Sequence, residues 1–247
     1  MGAGTRRSLW IAAGVALLVV LAGCTGGGGA PYEEPPSAEQ VEAGHEEALR
    51  DAGSYTYTQS VRVNGSFVDV TSNTTAAVEL DPETYRWRQE TGDGSLEIYA
   101  PADDRPYVRT QAGSTIRYER ADNDSVPNAS AVATVPLSDL SEGFDFTANG
   151  TAQVDGERTY LYEANLSTLN ESAVGPIGEA FADADATEAT VDVYVRSDGL
   201  VKRVDWTFVV EGFGEPTRLS LTLAYEDVGS TTVEEPSWLE EAQSATS

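Results

Sequence analysis

The chain has 247 residues, with 41 Asp and Glu against 15 Lys and Arg, a formal net charge of −26 at neutral pH, one His and one Cys. That balance disfavours nucleic acid and anionic headgroups as partners, because counterion release needs a basic surface. A single Cys excludes an internal disulfide and any Cys-based zinc cluster. No EF-hand spacing occurs, so neither a metal site nor a cofactor is expected.

In chain order, Arg6-Arg7 precede the uncharged, mostly apolar run Leu9 to Ala22, the basic-then-apolar order of an export signal. Fourteen residues at about 1.5 Å each fall short of the roughly 30 Å hydrocarbon core, which weighs against an uncleaved membrane helix. Leu21-Ala22-Gly23-Cys24 resembles the lipobox of prokaryotic lipoproteins. The resemblance implies that residues 1–23 are a signal peptide and that Cys24, then the first mature residue, carries lipid on its thiol. Stable anchoring needs about two chains, so a dialkyl lipid is expected. Thr5-Arg6-Arg7-Ser8-Leu9 also resembles a twin-arginine signal, which leaves two export routes open. Either delivers an exported protein anchored to the outer face of the cell membrane.

Residues 24–37, with four consecutive glycines and Pro31, Pro35 and Pro36, read as a tether. Ser37 with Gln40 forms a capping-box signature for a helix to about Ala52, whose thin apolar stripe is Val41, Ala48, Leu49 and Ala52, with His45 on the same side. The lone His45 lacks His or Cys partners for a metal, and nothing like Gly-x-Ser-x-Gly accompanies it.

After Gly53 the apolar period changes to two. Tyr55, Tyr57, Gln59, Val61 and Val63 alternate with polar residues up to the Asn64-Gly65 hairpin signal. Further strands are expected near 66–71, 74–80, 84–90, 95–100, 105–110 and 114–120, separated by turn residues. The period lapses from Ala121 to about Gly143, with a short helix expected around Leu137 to Leu140, then resumes near 144–149, 151–155 and 158–165. A helix carrying Ile177 and Phe181 is expected within 167–185, interrupted by Gly175-Pro176. The cleanest alternation comes last: Val191, Val193, Val195; then Val204, Trp206, Phe208, Val210 after Ser197-Asp198-Gly199; then Leu219 to Tyr225. The tail, residues 229–247, is acidic and expected to be loosely held.

The expected fold class is therefore mainly β (α+β): a curved antiparallel sheet or half-barrel over residues 38–228, partly covered by an N-terminal helix and a short inserted helical segment. Two packed lobes are the alternative, since the meander lapses twice.

All seven asparagines, Asn64, Asn73, Asn123, Asn128, Asn149, Asn165 and Asn170, are followed two residues later by Ser or Thr with no proline between. Each is an N-glycosylation candidate and hence an expected surface position of an exported protein. Removing residues 1–23 takes away two arginines and no acids, leaving 13 basic against 41 acidic residues, and Lys202 is the only lysine. Abundant carboxylates with almost no lysine resemble the proteins of salt-loving archaea, where high salt screens self-repulsion.

The order lipobox, tether, helix, long meander, inserted helical segment and final Asp-Gly hairpin resembles the LolA/LppX-like lipoprotein carriers, and also haloarchaeal lipoproteins. The best-matching stretch is Val191 to Val210, with Ser197-Asp198-Gly199-Leu200 and Lys202-Arg203 between its strands. The resemblance implies a concave sheet face that holds an acyl chain or other hydrophobic ligand. The strands offer a wide apolar face and the helices only thin stripes to cover it, so either a ligand or the sheet's own side chains must fill the remainder. Trp87, Val193, Trp206, Phe208 and Leu221 are the expected lining of any such pocket. Adjacent carboxylates such as Glu46-Glu47 and Asp103-Asp104 are ordinary in so acidic a chain, and strand neighbours point to opposite faces. The reading is non-enzymatic: a lipid-anchored binder or carrier of a hydrophobic molecule, with a non-catalytic structural or interaction module of a glycosylated cell surface as the alternative.

Overall fold

The structure, a computed structural model, describes residues 37–129, 131–132, 143–168, 185–211 and 215–247. Helix α1 (Ala38–Ala52) begins at the expected capping box: Ser37 Oγ accepts from the Gln40 amide and Gln40 Oε1 accepts from the Ser37 amide at 3.0 Å. It ends at Gly53, whose φ of 75° is open to glycine and disfavoured for other residues.

Eleven strands follow: β1 (Ser54–Gly65), β2 (Val68–Leu80), β3 (Glu83–Thr91), β4 (Gly94–Ala100), β5 (Tyr107–Ala112), β6 (Thr115–Arg120), β7 (Thr147–Val154), β8 (Glu157–Asn165), β9 (Asp185–Val195), β10 (Val201–Glu211) and β11 (Thr217–Glu226). They form one antiparallel, open, curved sheet in the order β6-β5-β4-β3-β2-β1-β11-β10-β9-β8-β7. Each half is thus a meander, and the halves join where β1 pairs with β11 from Thr56↔Glu226 to Asn64↔Arg218. One continuous sheet replaces the two-lobe alternative.

Two segments expected as separate strands merge. Residues 66–71 and 74–80 are one strand, β2, whose first half is largely exposed and therefore carries little apolar alternation. Residues 144–149 and 151–155 contribute to β7, where a register shift between Ala148 and Thr151 accommodates Gly150 in a left-handed conformation. The helix expected at Leu137 to Leu140 lies outside the described residues. So does most of that expected at 167–185, including Ile177 and Phe181; its first residues close a 3-10 turn, Leu166–Thr168.

The topology explains the lapse after Ala121. The chain leaves β6 at one sheet edge and re-enters at β7 on the other, ten strand spacings or about 48 Å away. Its described residues pack on the apolar face. Tyr85 of β3 donates its hydroxyl to Pro127 O at 2.7 Å, Tyr55 of β1 donates to Ala129 O at 3.4 Å, and Phe144 packs edge-on against Trp206 of β10 with ring centroids 6.4 Å apart. The connection is a strap, with its own contacts replacing strand periodicity.

The tail departs from expectation. Helix α2 (Leu239–Ala245) docks on the opposite face of the sheet, and Trp238, Leu239 and Ala242 are buried with Tyr99 and Tyr107. Trp238 and Leu239, in an otherwise acidic and polar stretch, hold the tail to the sheet. The reason is a polar partner: Trp238 Nε1 donates to buried Glu97 Oε2 at 3.1 Å.

Candidate functional site

Strand register sorts the side chains into two chemically different faces. Across the sheet, Val193 stands opposite Val204 and Tyr162, Trp206 opposite Val191 and Leu221, Leu221 opposite Val61, and Phe208 opposite Leu219. In the other half, Trp87 stands opposite Ala76 and Ile98, and Tyr57 opposite Ala76 and Tyr225. Directly opposed residues share a face, so Trp87, Val193, Trp206, Phe208 and Leu221 all lie on one. Val193, Trp206 and Phe208 are buried, while Trp87 and Leu221 are half-buried against them.

The described cover of this face is α1 at one end and the strap across the middle. At the α1 end, His45 is 4 % exposed, its Nδ1 accepts the Val201 amide at 3.2 Å, and its ring stands edge-on to Tyr225 at 4.4 Å. Desolvation pulls its pKa down to about 4, so the ring is neutral near pH 7. Desolvation also pushes the Tyr55 and Tyr57 phenols up to about 12, keeping them uncharged. The face is thus apolar, with neutral polar side chains among its hydrocarbon, and none of Trp87, Val193, Trp206, Phe208 and Leu221 lines either of the two clefts described next.

The two ends of the sheet differ. Beside α1, Asp155, Glu157, Arg196, Lys202, Glu226 and Asp227 line a polar cleft of about 450 Å³. Lys202 is 5 % exposed, with Asp155 Oδ2 3.9 Å from its ammonium. At the far end, where β1 turns into β2 and β10 faces β11, a second cleft of about 320 Å³ is walled mainly by Val63, Phe67, Val68, Val210 and Thr217. Phe67, at the hairpin tip, is 90 % exposed, and Val68 and Val70 beside it are also exposed. Gly65 packs closely here: a Cβ on it would stand 2.6 Å from Thr217 Oγ1, so a larger residue would force the Thr217 side chain to shift.

The opposite face is polar. Glu97, 2 % exposed, receives Arg86 Nη2 at 3.2 Å, Arg109 Nη1 at 2.8 Å and the Trp238 indole. Burial opposes its ionisation most strongly. The Trp238 and Arg86 hydrogen bonds, with the charges of Arg88 and Arg109, outweigh that and hold its carboxyl below the usual range. In the other half, Glu163, Asp192 and Asp205 lie in one cross-strand row. Desolvation, then Glu163 and Asp205, raise the Asp192 carboxyl.

Sequence reasoning missed Phe67, because one aromatic beside a turn carries no periodic signal. It also missed Glu97, one acid among 41. Asn64, Asn73, Asn123, Asn128, Asn149 and Asn165 are all exposed; Asn170 and Cys24 lie outside the described residues. No helix among the described residues is long and apolar enough to cross a membrane, and none of their His, Cys, Asp and Glu side chains gather in threes as a metal-binding group.

Among solved structures the chain is similar to LprF from Mycobacterium bovis, at 12 % identity and a TM-score of 0.45 over 82 % of this chain and 98 % of that one. It is similar to lipoprotein LppX of Mycobacterium tuberculosis at 16 % identity and 0.42, over 80 % and 99 %. A LolA superfamily protein from Nitrosomonas europaea follows at 8 % identity and 0.25, over 82 % and 96 %. No curated protein matches the sequence. A family model matches residues 10–242, nearly the whole chain, and the protein belongs to that family, the family of unknown function DUF7537.

Proposed function

We propose that this is an exported protein, anchored to the outer face of the cell membrane through lipid on Cys24, that binds or carries a hydrophobic ligand on the apolar face of its sheet. The observation that carries this reading is the far-end cleft: an apolar opening of about 320 Å³ whose walls continue into the Trp206–Phe208–Leu221 face. Small-molecule sites are concave, mostly apolar and a few hundred Å³ in volume. Solvent-exposed apolar side chains gathered at such an opening mark an interaction site rather than a random surface. The lipobox resemblance and the Gly/Pro tether supply the anchor.

Native mass spectrometry of a soluble form lacking residues 1–24, purified at high salt and then extracted with organic solvent, tests the reading. The expected result is an apolar species lost on extraction. A ligand-free mass before extraction would overturn it and favour a second reading, a non-catalytic module of a glycosylated cell surface. The exposure of all six described sequon asparagines supports that alternative.

A further inference from the structure

Among the described residues two tryptophans are buried, Trp206 and Trp238, and they differ in one respect. Trp238 donates its indole N–H to Glu97 at 3.1 Å. Trp206, 7 % exposed, has its indole nitrogen sealed from solvent with no acceptor among the described residues. A buried indole N–H ordinarily finds a partner, and leaving it unmade costs the full desolvation of the donor.

The position of that donor is informative. Trp206 lies on the apolar face, opposite Val191 and Leu221, with neighbours that offer it only carbon. From Val210, which walls the far-end cleft, Phe208 and then Trp206 follow on the same face of β10. Four residues of strand rise place the indole about 13 Å inward from the opening. The ring that closes over it, Phe144, belongs to the strap and stands outside the eleven strands. Inward of the cleft the face continues through Phe208 to Trp206, whose indole N–H lies beside Phe144.

We propose that the hydrophobic ligand of this face bears a carbonyl oxygen, as an acyl ester or amide does, and that Trp206 Nε1–H donates to it once Phe144 is displaced. The inference rests on the proposed function and adds to it the ligand's chemical class. An acyl lipid satisfies the orphan donor, whereas a pure hydrocarbon or an alkyl ether chain leaves it without a strong acceptor. Trp206 is then a specificity-determining residue, and the walls supply affinity without discrimination.

The test compares two probes that differ only in that carbonyl, palmitoyl lysophosphatidylcholine and its O-hexadecyl ether analogue. Both are titrated calorimetrically below micelle formation against the full-length protein at high salt. Wild type is expected to bind the ester roughly five- to tenfold more tightly, and Trp206→Phe to bind both probes alike. Equal affinity of wild type for the two probes overturns the inference while leaving the carrier reading standing. So does a Trp206→Phe variant that keeps the ester preference. Failure of wild type to bind either probe overturns both. The wild-type comparison needs no variant, so it decides the matter even where Trp206→Phe does not fold.

Discussion

His45 accepts the Val201 amide while buried and neutral, so protonating it breaks that bond and charges an apolar layer. Its folded pKa of about 4 lies below the unfolded value of 6.5. The stability it confers is therefore fully present above pH 6.5 and is lost as pH falls toward 4. Linkage gives at most about 1.4 kcal/mol per pH unit, roughly 2 kcal/mol between pH 6.5 and 5. Urea unfolding is expected to show that slope in wild type and to lose it in His45→Phe, which pays a constant penalty for the unpaired Val201 amide. An equal slope in both would remove His45 from the account. Glu97 runs with the ordinary carboxylate sign. Its folded pKa is depressed, so its contribution is complete above the normal Glu range and disappears as acid titrates through the lowered value. Glu97→Ala leaves three arginines and an indole without their acceptor, at a cost of about 2 kcal/mol given that the arginines are partly solvated. The expected signature is local: Trp238 fluorescence shifts to the red and proteases cut after Val233 before the sheet melts.

At the scale of elements, the hairpin joining β1 and β2 presents three exposed apolar side chains to solvent, Phe67, Val68 and Val70. A residue 90 % exposed contributes little to folding, so Phe67→Asp is expected to leave the unfolding midpoint within about 0.5 kcal/mol of wild type. Under the proposed carrier function, in which ligand enters through the cleft that Phe67 lines, transfer of a fluorescent acyl probe from vesicles should nevertheless slow several-fold. Unchanged transfer would mean that the ligand enters elsewhere. Most strands were legible from their period of two, since residues such as Val204, Trp206, Phe208 and Val210 bury one face and expose the other. The capping box at Ser37 was equally legible, being local chemistry. Pairing of β1 with β11 was not, because 168 positions separate Tyr57 from its partner Tyr225 (225 − 57), and no local pattern encodes such a contact. The strap was invisible for a related reason: Pro127 and Ala129 act through backbone carbonyls, which every residue possesses. Of the site, the five wall residues were readable as a face, whereas the opening at Phe67 needed the sheet's end to be assembled from β1, β2, β10 and β11.

For the whole molecule, the decisive quantity is the charge. A net −26 over the full chain acts against compaction, and among the described residues the charges are not evenly compensated. The β3–β6 half of the polar face has Arg86, Arg88 and Arg109 gathered on Glu97, so its charges are compensated by contact. The β8–β10 half sets Glu163, Asp192 and Asp205 in a row; Arg203 pairs with Asp205 at 2.8 Å, and the Asp192 carboxyl is raised first by desolvation and then by its two acidic neighbours. Screening treats the two halves differently. The Debye length falls from about 10 Å at 0.1 M salt to about 3 Å at 1 M, which removes repulsion between solvated carboxylates but hardly touches a buried, hydrogen-bonded Glu97. The unfolding midpoint is therefore expected to rise with salt. Asp192→Asn should reproduce part of the rise at 0.1 M, on the order of 0.5 kcal/mol, and add almost nothing at 2 M. The sign with pH is opposite to that of Glu97: a raised folded pKa makes ionised Asp192 a cost at neutral pH, one that fades as acid protonates it. A gain from Asp192→Asn that persisted undiminished at 2 M salt would place its origin in packing or hydrogen bonding, and the salt dependence of the fold would then need a source other than this carboxylate row.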